Sequence, residues 1–83
     1  MSERIMLQGM LVEKRLEIKK LITRANALVS SIHTQCSPFL SLDDLPVDQI
    51  VEQAIVLEKN LRNIRRLREE IRKLEKELGI ESE

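Results

Sequence analysis

The chain has no Trp, no Tyr and only one Phe, Phe39, so no aromatic cluster can build its core. Burial must come from Leu, Ile, Val, Ala and Met, which suits narrow helical seams better than a thick globular interior. The single cysteine, Cys36, excludes the internal disulfide that staples small secreted domains and points to a reducing, cytoplasmic setting. Long apolar runs are missing as well. The longest charge-free stretch, residues 25–42, contains Asn26, Ser30, Ser31, His33, Thr34, Gln35, Ser37, Pro38 and Ser41 and is too polar to span a bilayer. The run from Ile5 to Val12 is broken by Gln8 and Gly9, and Glu13 follows where a signal peptide would carry small residues, so neither a signal peptide nor a membrane partner is expected.

What is present is a seven-residue repeat. Leu11, Ile18, Ala25 and Ile32 recur at one heptad position, here a, and Leu7, Leu21 and Leu28 fall on the neighbouring d position, interrupted only by Lys14. Ser2 is placed to cap this segment and no proline precedes Pro38, which predicts a helix over about 3–34. Gly9 costs that helix ~1 kcal/mol relative to Ala. A second repeat is longer: Ile50, Leu57, Ile64, Ile71 and Leu78 at a, Leu67 and Leu74 at d, and Ala54 and Leu61 one position further on. Pro46 suits a first helical turn and Gly79 a left-handed C-cap, giving a helix over about 46–78. Between them lies a connector, residues 35–45, in which Ser37-Pro38 disfavours helix and Ser41-Leu42-Asp43-Asp44 can cap one short helical turn. Two segments of matched length predict an all-α antiparallel two-helix hairpin, coiled-coil-like, as one domain over residues 1–83. At that size only about 60% of the chain's surface is buried on folding, and association is a common remedy.

The formal net charge is zero, with 14 basic and 14 acidic residues, but the charges are segregated. Residues 35–58 carry five acids and no Lys or Arg, whereas residues 59–76 carry eight bases against three acids. This makes the second helix dipolar. With the turn placed near residue 40, residues 14–24 face 56–66, a band of nine bases against Glu17 and Glu58. Lys19, Lys20, Arg24, Arg62, Arg65 and Arg66 in that band are the candidate contacts to a phosphate backbone. The competing reading is a solvated flank with Arg66/Glu70 and Glu69/Lys73 pairs, and no aromatic is available to stack on bases.

Motifs for chemistry are few. His33 and Cys36 stand three apart, but zinc needs three or four ligands, the chain has no other His or Cys, and a half-buried Cys at a helix end accounts for the pair. The same two residues as base and nucleophile lack an oxyanion hole or a pocket. Gly9 and Gly79 alone form no phosphate loop, and Asp43-Asp44 and Glu69-Glu70 read as capping and surface charge. No catalytic, cofactor or metal residue is therefore assigned.

The apolar surplus is more informative. Val47, Ile50, Val51, Ala54, Ile55, Val56 and Leu57 cover more of the second helix than one partner helix can bury, and Val29 lies beside the seam in the first. One reading folds Phe39, Leu40, Leu42 and Leu45 back over this end as a cap. The preferred one is an interface in which Leu28, Val29, Ile32, Val47, Val51 and Ile55 meet a second copy or another helical protein, two copies making a four-helix bundle. Met1, Met6 and Met10 are expected to pack against Ile71, Leu74 and Leu78, and the polar d residues Gln53 and Asn60 to set register or oligomer state. The expected function is thus a non-catalytic interaction or assembly module, the alternative a nucleic-acid-binding hairpin.

Overall fold

A computed structural model describes residues 2–80 of the chain. Helix α1 runs Glu3–Gln35 and helix α2 Val47–Leu78, joined by a connector that holds a single 3-10 turn, Leu42–Asp44. No strand occurs among the described residues. Met1, named above with the other methionines, lies outside them.

Each helix end has a chemical cause. The Ser2 hydroxyl accepts from the Arg4 N–H at 3.2 Å, satisfying one of the donors a helix start leaves open. α2 stops at Gly79, whose φ of 69° is the left-handed conformation glycine adopts without a Cβ penalty. There the Ile80 N–H donates to the Glu75 carbonyl at 2.8 Å and the Gly79 N–H to that of Lys76 at 3.2 Å, the paired bonds of a Schellman ending. Pro46 is a correction: it stands just before α2 rather than in its first turn, because its ψ of 65° is not helical, and its carbonyl accepts from the Ile50 N–H. In the connector the Ser41 carbonyl accepts from the Asp44 N–H, and the Ser41 hydroxyl donates to the Asp44 carboxylate at 2.8 Å.

The helices are antiparallel, and their cross-links give the register. Lys14 Nζ meets Glu70 Oε2 at 2.8 Å, Ser31 Oγ donates to Gln53 Oε1 at 3.1 Å, and Gln35 Nε2 donates to Gln49 Oε1 at 3.1 Å. Each of these pairs sums to 84, not to the 80 expected from a turn near residue 40. The 3-10 turn centres the reversal near residue 42, so residues 14–24 face about 60–70. Lys14, which interrupts the apolar seam, therefore has an acid across from it.

The core has two clusters, Ile18, Ala25, Ile64 and Leu67 in one and Leu11, Leu74 and Leu78 in the other, bridged by Ile71. All are a or d residues, and Leu67, at 1% exposure, is the most deeply enclosed. Leu7 joins this packing but Met6 and Met10 do not; both are exposed, since their heptad positions turn them from the seam. The molecule is 61 × 22 × 14 Å with a radius of gyration of 18.1 Å, against roughly 12 Å for a compact domain of this length. A thickness of 14 Å is one layer of helices, so both broad faces of the pair lie open.

Candidate interaction surface

The buried core stops short of the turn. In α1 the last buried side chain is Ala25 and in α2 the first is Asn60, and between residues 26 and 59 none is buried. The cap reading fails here: Phe39 is 96% and Leu42 84% exposed, and of the four connector residues only Leu45 is half-buried. Phe39 follows Pro38 in the connector, beyond the last residue of α1, and so lies outside the heptad seam.

Of the six residues expected at an interface, Leu28 and Ile32 are half-buried between the helices, while Val29, Val47, Val51 and Ile55 are each half or more exposed. Their helical positions explain the division. Leu28 and Ile32 are d and a residues, whereas Val29 and Val47 occupy e and Val51 occupies b, on one flank of the seam. Ile22, Asn26, Leu61, Arg65 and Arg68 share a shallow depression of about 240 Å³ on that same flank, which joins the e and b positions of both helices into one face. Ile55, at f, borders it from the outer side. The opposite flank is more polar, bridged by the Lys14–Glu70, Ser31–Gln53 and Gln35–Gln49 contacts, with Val56 and Met10 among its exposed apolar residues. The heptads show Ala54, Leu61 and Val29 beside the seam; that they share one flank follows only from the pairing of the two helices.

The six basic candidates are all exposed, but they fall into two groups. Lys19, Lys20 and Arg24 line a depression with Thr23 and Ala27 along α1 alone. Arg62, Arg65 and Arg66 sit on α2, where Arg62 pairs with Glu58. In the observed register the band of residues 14–24 and 60–70 holds nine bases against three acids. The surface pairing differs from the expectation: Glu70 binds Lys14 rather than Arg66, and Glu69 binds Arg72 rather than Lys73. The hydrogen bond from Lys14 is the main cause of a Glu70 pKa below its ordinary value. Arg15 Nη2 meets Glu75 Oε2 at 2.8 Å, and Glu75, at 8% exposure, is the one buried charged residue of the described chain.

Two further polar groups stand out. Asn60 is buried at 7% exposure with its Nδ2 lacking an acceptor, and Gln35 Oε1 lacks a donor. Gln53, the other polar d residue, is half-buried and accepts from Ser31. Cys36 is exposed rather than half-buried, because it stands at the end of α1, and His33 is exposed beside it. Among the described residues no three His, Cys, Asp or Glu side chains cluster as a metal set, and no helix is long and apolar enough to cross a membrane. No family model, curated protein or solved structure matches the chain.

Proposed function

We propose that this chain is a non-catalytic assembly module that self-associates through its turn-proximal half, two hairpins forming a four-helix bundle. One observation carries the reading: the core ends at Ala25 and Asn60, while Val29, Val47, Val51 and Ile55 beyond it are 50–61% exposed. Fully burying one Val or Ile is worth ~1.5–3 kcal/mol, of which about half remains to be gained by each of these half-exposed residues. Several such residues from each copy can offset the 4–15 kcal/mol commonly estimated for lost translational and rotational freedom. A second copy brings the same face, as a two-fold interface requires. The exposed, lone Cys36 fits a reducing, cytoplasmic compartment.

Sedimentation across a concentration series tests this. Wild-type protein is expected as a dimer at tens of micromolar, and Val51→Lys with Ile55→Lys as a monomer of lower helicity. A wild-type monomer at those concentrations refutes self-association.

A second reading rests on the basic midsection, nine bases against three acids, whose Lys19, Lys20, Arg24, Arg65 and Arg66 have no ion-pair partner among the described residues. On this reading nucleic acid binds by phosphate contacts, and changing Arg62, Arg65 and Arg66 to Gln weakens binding and flattens its salt dependence. Absence of binding by the wild type at low salt removes it.

A further inference from the structure

Along its length the open face changes character twice. Nearest the turn the hairpin is acidic: residues 25–58 contain no Lys or Arg, and the exposed Asp43, Asp44 and Asp48 stand in the connector and the first turn of α2, at the end of this face. Its middle is mainly apolar, from Val47 through Val51 and Ala54 to Leu61, with Val29 alongside from α1; the one charge at b in this stretch, Glu58, is paired with Arg62 of its own helix. Beyond Leu61 it is basic, with Arg65 and Arg68 on α2 and Lys19 at the same level on α1 in the observed register. Over the whole hairpin the five acids of residues 25–58 leave the remainder of the chain at fourteen bases against nine acids, a net +5 opposed to −5.

A face that reads acid, apolar, base complements itself only when reversed. Laid parallel, two copies put acid on acid and base on base, and like charges brought together oppose association. Laid antiparallel about the middle of the apolar stretch, near residue 54, they stack Val47 at the level of Leu61 and Asp43 at the level of Arg65. Symmetry makes the same contacts a second time. We infer that the occupant of this face is a second copy of the chain in antiparallel, partly overlapped orientation, with the turn of each hairpin lying on the basic midsection of the other. The inference rests on the self-association proposed above and adds orientation and register to it. The basic midsection then has an acidic protein surface as its counter-charge, without nucleic acid.

Two measurements decide it. Spin labels placed on Lys73→Cys in a Cys36→Ser background report the distance between copies. At 1.5 Å per residue, reversal about residue 54 sets the two labels about 55 Å apart along the axis, whereas a parallel dimer keeps them within the width of a four-helix bundle, roughly 30 Å. A long distance supports the orientation and a short one in a dimer overturns it while leaving self-association standing. The second measurement uses charge reversal in the connector, where neither helix is altered. Asp43→Lys with Asp44→Lys is expected to weaken dimerisation at least tenfold, and adding Arg65→Glu with Arg68→Glu in the same chain to restore it. A parallel dimer is not weakened by the first change, which would overturn the orientation. A wild-type monomer by sedimentation overturns orientation and self-association together.

Discussion

Arg15 and Glu75 illustrate how a single buried charge depends on its partner. The Glu75 side chain is 11% exposed and its carboxylate meets a guanidinium that is 46% exposed. Removing Arg15 leaves a carboxylate enclosed without its counter-ion, whereas removing both charges leaves an ordinary apolar flank. Arg15→Met is therefore expected to lower stability by about 1–2 kcal/mol, discounted for the exposed guanidinium, and Arg15→Met with Glu75→Met to recover most of it. Thermal melts at one fixed protein concentration read both; equal losses in the single and double variants would show that the pair contributes packing alone. Lys14 and Glu70 differ, since at 35% exposure the Glu70 carboxylate is far more open than that of Glu75. With the Glu70 pKa lowered, the stability this pair adds is fully present above the ordinary glutamate pKa and is lost as pH falls through the lowered one.

At the scale of the helix, Asn60 marks where the seam stops being a core. It occupies a d position between the buried layers of Ile64 and Leu67 and the half-buried layers of Leu57 and Gln53, and its buried Nδ2 has no acceptor. A buried unsatisfied donor costs about 1–3 kcal/mol, so Asn60→Leu is expected to raise the unfolding midpoint and extend the core by one layer toward the turn. A lower midpoint would mean that water or a second copy satisfies this amide in solution. The two helices themselves were legible from the heptads, and their ends to within a residue, because Ser2 and Gly79 act through local geometry. The register was not, because it depends on how many residues the connector uses to reverse. Nor do the a and d positions alone say which flank is apolar; that follows from Ile22, Val29, Val51 and Leu61 only once both helices are set side by side.

For the whole molecule the consequence is uneven stability. Helices of about thirty residues are held by packing far more than by propensity, and here full burial is confined to the half remote from the turn. An isolated hairpin should thus open from the turn inward, its backbone hydrogen bonds between residues 26 and 59 exchanging through local fluctuations that leave the Leu67 layers intact. The proposed association would change this, because a second copy would cover the weak half and its opening would then require dissociation. Amide hydrogen exchange at two protein concentrations separates these states. At low concentration, or in Val51→Lys with Ile55→Lys, residues 26–59 are expected to exchange much faster than residues 11–25 and 60–78. Raising the wild-type concentration should protect the first group selectively, since linkage lets only segments buried by association gain from mass action. Protection that is uniform along both helices and indifferent to concentration would mean that the turn-proximal half is stable on its own. The exposed Val29, Val51 and Ile55 would then need no second copy to cover them.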